Sequence, residues 1–304
     1  MRSAEEQNRQ EETAGQASGS SKKGRSSLVQ RWLTSIVAIP IIVIFAWLGG
    51  WWTFAILLLI TCLSLYEFHR MMQHVGYRPV MLVSLGLSVL FLLAALFPRW
   101  QLLLLEIGLS ASLLVTFPAL FARKEHEGSL VDWALTVAIP IYLGWPLSCF
   151  LLLRGFQVGW PFASTPWWVL PRGLWWVLVA LFGVWGSDTG AFFTGRFLGR
   201  HKLAPTISPG KTWEGVFGGL VLGTIAVILF SFPLGVPWYL AIILGILVTI
   251  AAVLGDLAES LIKRQTHVKD SGQLFPGHGG MLDRIDSLLF AVMVVYFFSL
   301  FVGK

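Results

Sequence analysis

Stretches long and apolar enough to cross a lipid bilayer recur along this chain, at approximately 32–48, 51–68, 79–97, 101–121, 131–153, 174–195, 213–233, 237–258 and 282–302. A helix needs roughly 20 apolar residues to cross the hydrocarbon core. Backbone polar groups in lipid must find partners within the protein, so only helices and closed barrels can span it. Barrel strands alternate apolar with polar positions, and these runs do not. The expected fold is therefore all-α, a polytopic integral membrane bundle of about nine transmembrane helices. Composition agrees: 56% of the residues are hydrophobic and 12% charged, the latter about half the share of a soluble domain.

Short cytoplasmic loops carry an excess of Lys and Arg. With nine spans, 18 of the 22 basic residues share a side with the N-terminal tail, and only Arg99, Arg154, Arg172 and Lys304 fall opposite. Adding or removing one span destroys that split. The tail is thus expected in the cytoplasm and the C-terminus across the membrane. Residues 1–27 are polar, with no apolar center for a cleavable signal, and read as a disordered cytoplasmic tail. Residues 28–304 read as a single membrane domain. Topology accounts for the +6 net charge, and no nucleic-acid-binding motif is visible. Cys62 and Cys149 lie inside predicted spans and suit packing rather than a disulfide or zinc site. The Trp- and Pro-rich loop 155–173 suits an interfacial belt. Gly215, Gly219 and Gly223 allow close helix contact, either within the bundle or across a homodimer.

Acidic residues divide the chain. Of the six Asp, all but Asp132 lie beyond residue 180, with Glu214 and Glu259 beside them. Glu67 and Glu106 are the main ionizable exceptions inside the earlier runs. Residues 32–153 therefore read as a five-helix scaffold half and 174–304 as a catalytic half.

In GDLAESLIKR, Asp256, Glu259, Ser260 and Lys263 share one helix face. They form either a local ion pair closing a helix end or a functional group, since ionizable residues at membrane depth are costly unless paired or facing water. Asp283 and Asp286 stand i, i+3 where the last apolar run begins, near the positive end of a helix dipole. Two such carboxylates repel each other without a cation, and Mg²⁺ binds through one or two carboxylates plus waters and phosphates. Before them, Pro276, Gly277, His278, Gly279 and Gly280 form a loop whose backbone N–H groups can approach phosphate oxygens. In GSDTGAFFTGRFLGRHKLAPTISPGKTWEG, Asp188 is either a buried polar contact or part of a site. Lys202 and Lys211 precede the next helix, and Thr212 suits an N-cap as well as a ligand contact. The GKT there is no P-loop, because Pro205 occupies the position of the first glycine.

The run Ser260, Lys263, Arg264, Lys269, Asp270, Gly272, Phe275, Pro276, His278, Gly279, Gly280, Asp283, Arg284, Asp286 resembles, position by position, the signature of phosphatidate cytidylyltransferases. SDTGAFFTGR and SPGKTWEG resemble other segments of that family, with Phe192 where tyrosine is common and Gly210 where lysine is common. The resemblance is strong over about 180–290. It implies transfer of the cytidylyl group of CTP to phosphatidate, giving CDP-diacylglycerol and pyrophosphate, with Mg²⁺ and room for a second cation. It implies Asp256 and Asp283 as leading metal ligands, with Asp188 and Asp286 beside them. Lys263 and Asp283 would be catalytic. Substrate contacts would come from Lys202, Lys211, Thr212, Ser260, Lys263, Arg264, Lys269, Asp270, His278, Gly279, Gly280 and Arg284. The partners implied are CTP and a membrane lipid, and the location a bacterial inner membrane. A CTP-dependent lipid kinase stays open as an alternative. A transporter fits less well, because the charged motifs occupy one half only, and no Asp-Gly pair exists for a CDP-alcohol phosphotransferase motif.

Overall fold

A computed structural model describes residues 40–155, 170–272, 274 and 279–302. The proposed tail, most of the Trp-rich loop and His278 lie outside the described residues. α1 covers 40–48. It is followed by α2 (Gly50–His74), α3 (Met81–Leu96), α4 (Gln101–Phe121), α5 (Ser129–Gly155), α6 (Arg172–Leu198), α7 (Trp213–Ser231), α8 (Trp238–Gln265) and α9 (Leu282–Val302). An antiparallel hairpin, β1 (Lys202–Ala204) and β2 (Ser208–Thr212), joins α6 to α7.

Among the described residues, 7 helices are long and apolar enough to cross a membrane. α3 is apolar but shorter, at 16 residues, and the first expected span is described only from residue 40. The helical membrane architecture stands, and the described helices include seven full-length spans, with α1 and α3 at the positions of the other two expected runs. Several helices outrun their apolar segments. α2 continues to His74, α6 to Leu198 and α8 to Gln265, because an established helix propagates at one hydrogen bond per residue whatever its polarity. Hydropathy locates lipid, not the end of a helix.

These extensions build a polar head at one end of the bundle. Asp132, in the first turn of α5, accepts the Arg78 N–H at 2.6 Å and pairs with Arg123 at 2.5 Å, tying together the α2–α3 and α4–α5 connections. Arg264 Nε donates to Ile207 O at 3.2 Å, fastening α8 to the hairpin. At the other end, buried Arg154 donates to Ala46 O and Trp47 O, satisfying C-terminal carbonyls of α1. One apolar core runs through both halves, from Ala46 and Leu57 to Leu289 and Val295.

α6 and α7 meet along a seam of small residues. A Cβ on Gly190 would stand 2.3 Å from Gly218 O, and one on Gly223 would meet Thr249 and Gly183 O. Gly215 and Gly219 pack on Ala191 and Ser187 of α6 in the same way. The four-residue glycine spacing thus serves contact within the bundle. Cys62 and Cys149 are both free, with Cys149 buried.

Candidate active site

Close helix approach assembles the acidic residues. Gly255 brings α8 onto the α9 backbone, where an added Cβ would lie 2.4 Å from Asp286 O. Asp256 and Asp286 are thereby neighbors across that contact, and Asp188 lies in the part of α6 nearer the same end of the bundle. Asp188 precedes the end of α6 by ten residues and Asp256 that of α8 by nine. At 1.5 Å per residue these carboxylates sit about 14–15 Å below the tips of their helices. Lys211 of β2 offsets the charge: its Nζ lies 2.8 Å from Asp256 Oδ2 and donates to Val253 O at 3.3 Å. Ser260 donates to Asp256 Oδ1 at 3.3 Å.

A second cluster adjoins this one. Lys263 Nζ lies 2.5 Å from Glu259 Oε2 and 2.6 Å from Asp283 Oδ1, so Asp256 and Lys263, which share a face, take different partners. Glu259 is 1% exposed, and its other oxygen has no hydrogen-bond partner among the described residues. Asp283 Oδ2 accepts from Ser271 N and Oγ, both at 2.9 Å, and from Gly280 N at 2.7 Å. With Lys263 on Oδ1, both oxygens of Asp283 are engaged, and the side chain organizes the loop and Lys263.

At the described end of the glycine loop, Gly280 N meets Asp283, and just beyond the loop Met281 N and Leu282 N donate to Glu67 Oε1 and Oε2 at 2.9 Å each. Ser271 Oγ also lies 3.1 Å from Glu67 Oε2, so its one hydroxyl hydrogen is shared between that oxygen and Asp283 Oδ2. Glu67, from α2 in the scaffold half, therefore caps the start of α9. Its presence in an apolar run was the available signal, since a buried carboxylate needs donors, but nothing in the sequence named residues more than two hundred positions away. The tight fit explains Gly280: a Cβ there would stand 2.2 Å from Ser271 Oγ and 2.3 Å from Glu67 Oε2. Gly279, at φ +80°, adopts the left-handed backbone that glycine tolerates.

The remaining candidates are spread over the head. Thr212 is 5% exposed and its hydroxyl accepts the Gly215 N–H at 3.1 Å. It is the α7 N-cap, and that use leaves it little surface for a substrate. Glu214 accepts from His201 rather than facing the acidic set. Lys202, Arg264, Lys269, Asp270 and Arg284 are exposed on the same head.

No group of three or more His, Cys, Asp or Glu among the described residues is arranged to hold a metal by itself. The donors are nonetheless hard carboxylate oxygens, and a Mg²⁺ site needs only one or two of them when waters and phosphates complete the shell. Asp188, Asp256 and Asp286 fit that description.

Apolar helices long enough to span a membrane, carrying carboxylates and ammonium groups at one end, define a helical membrane protein with a charged site at the end of its bundle. Residues 29–302 match the model of the Cytidylyltransferase family, and the chain belongs to that family. Phosphatidate cytidylyltransferase of Synechocystis sp. is 33% identical over 294 residues, covering 88% of this chain and 95% of that protein. The Bacillus subtilis protein of the same name is 32% identical, covering 88% and 96%. That of Pseudomonas aeruginosa is 35% identical, covering 88% and 95%.

Proposed function

We propose that this chain transfers the cytidylyl group of CTP to phosphatidate on the cytoplasmic side of a bacterial inner membrane, forming CDP-diacylglycerol and pyrophosphate. The observation that carries this reading is the pairing of a family match along nearly the whole chain with a head where α6, α8 and α9 gather their carboxylates beside Lys211 and Lys263. The lopsided distribution of Lys and Arg supports a cytoplasmic head.

The acceptor, a phosphomonoester, is already anionic at neutral pH, so no strong general base is needed. One of its oxygens bonds to the α-phosphorus of CTP as the bond to the β-phosphate oxygen breaks, and pyrophosphate departs with that electron pair. The barrier is chiefly repulsion between two polyanions, which fixed positive charge and positioning relieve. Lys263 gives two of its three N–H groups to Glu259 and Asp283, and Lys211 gives two to Asp256 and Val253 O. Each ammonium keeps one N–H for a phosphate oxygen, held in place beforehand by its carboxylate partners. Lys202 and Arg264 add charge at the rim. Asp188, Asp256 and Asp286 would hold Mg²⁺, which when bound supplies charge neutralization of the triphosphate.

The test is purified protein with α-labeled CTP, phosphatidate and Mg²⁺. Label entering the lipid fraction with release of pyrophosphate is expected. Transfer of the γ-phosphate to a lipid alcohol, or no transfer across a range of lipids and metals, would overturn the reading.

A further inference from the structure

The head contains a cavity of about 620 Å³ that the acidic set does not line. Its walls come from the polar extension of α2 (Leu63, Tyr66, Arg70, His74) and from the segment after α8 (Val268, Lys269, Asp270, Leu274), with Glu67 and Ser271 at one side. We infer that this cavity binds the phosphate headgroup of an anionic glycerophospholipid, with the acyl chains lying along α2. The inference rests on the function proposed above in one respect: on that reading the lipid is the acceptor, phosphatidate.

Charge and shape point the same way. Arg70 lies with its guanidinium 5.8 Å from the center of the Tyr66 ring, and Lys269 and His74 have no hydrogen-bond or ion-pair partner among the described residues. Two carboxylates also line the cavity. Glu67 is saturated by its three donors. Asp270 packs with its Cβ beside Gly279; the two carboxylates balance the two cations in charge, and Arg70 and Lys269 are the charged hydrogen-bond donors that the cavity offers a ligand. A guanidinium and an ammonium converging on one cavity suit a phosphomonoester.

The amphiphile is specified by α2. Leu59, Leu63, Tyr66, Arg70 and His74 follow one another at four-, three-, four- and four-residue steps, placing them on one helix face. Leu59 is 52% exposed and Tyr66 51%. The face is therefore unpartnered, apolar below and cationic above, over about 22 Å of helix rise. A nucleotide triphosphate or free phosphate has no use for the apolar half, whereas a phospholipid uses both. Ser271, on the cavity wall, also donates to Asp283 from its N–H and hydroxyl. A headgroup held here thus sits against the loop that positions Asp283 and Lys263, while CTP occupies the side of Lys211 and Asp256.

The experiment compares wild type, Arg70→Ala/Lys269→Ala and Arg70→Lys. It combines steady-state kinetics in mixed micelles with direct binding of dioleoyl phosphatidate, dioleoylphosphatidylglycerol and dioleoylphosphatidylcholine to the purified protein by native mass spectrometry. Loss of two charge-assisted contacts is expected to raise the KM for phosphatidate by about 10- to 100-fold, with KM for CTP within about twofold. Phosphatidate binding should fall in parallel, phosphatidylcholine should bind weakly throughout, and Arg70→Lys should recover part of the loss. Unchanged phosphatidate binding in the double variant, or a fall in kcat with both KM values unchanged, overturns the inference. Phosphatidylglycerol bound as tightly as phosphatidate, with KM for phosphatidate unmoved, overturns the acceptor assignment. If wild type binds phosphatidate through Arg70 and Lys269 yet makes no CDP-lipid, the lipid site stands and the proposed function falls.

Discussion

Replacing Glu67 by alanine removes a side chain that ties α2 to the start of α9, and the cost follows from its contacts. Glu67 is 5% exposed and accepts from Met281 N, Leu282 N and Ser271 Oγ. The serine hydroxyl keeps Asp283 as a second acceptor, so its loss is small. The two backbone N–H groups are orphan donors of a helix N-terminus, and each left unsatisfied costs about 1–3 kcal/mol. The total is about 2–6 kcal/mol, which at roughly 2–4 °C per kcal/mol lowers the midpoint of thermal unfolding by about 10 °C. Glu67→Gln keeps one acceptor oxygen but turns an NH₂ toward a donor, so it should fall between alanine and wild type. Glu106, the other carboxylate inside an early apolar run, is exposed on α4, and Glu106→Ala should leave the midpoint unchanged. Intrinsic tryptophan fluorescence during a thermal ramp in detergent reads all three, and turnover of Glu67→Ala should drop because the uncapped start of α9, which carries Asp283, loses its anchor on α2. A midpoint for Glu67→Ala within about 2 °C of wild type, with turnover intact, would refute the view that this carboxylate joins the two halves.

Asp256→Asn, at a partly exposed position paired with Lys211, should lower turnover by about 100-fold or more while the protein elutes from size exclusion in detergent as wild type does. Retained turnover would remove Asp256 from the metal role. Gly190→Ala drives a methyl group to within 2.3 Å of Gly218 O and should cost about 1–3 kcal/mol through overpacking, read as a lower unfolding midpoint. His267 ends α8 at φ +57°, where Val268 N donates to Lys263 O and His267 N to Arg264 O, the pattern of a Schellman cap. His267→Gly relieves the left-handed strain of a residue with a Cβ and should stabilize by about 1 kcal/mol, raising the midpoint by a few degrees.

Much of this protein is a one-dimensional property of its chain. A run of apolar residues long enough to span lipid must be helical, because no other open structure satisfies its backbone there, and seven such helices stand close to where hydropathy puts them. The charged residues that need partners were also legible, since the cost of burying Asp188, Asp256, Glu259, Lys263, Asp283 and Asp286 makes each a marked position. Partnership was not legible. Hydropathy has no term for a helix that continues past its apolar run, so the tips of α2 and α8, and the cavity between them, had no signature. Spacing placed Asp256 and Lys263 on one face, yet Asp256 took Lys211 from a hairpin and Lys263 took Asp283 from another helix. Gly280 N, at the end of the glycine loop, went to Asp283, and the N–H groups of Met281 and Leu282 just after it went to Glu67 from another helix. The sequence by itself determined which segments enter the membrane and which groups must find partners. Only packing in three dimensions decided which partners those are, because hydrogen bonds and ion pairs go to whatever donor the folded chain brings within about 3 Å, however distant it is along the backbone.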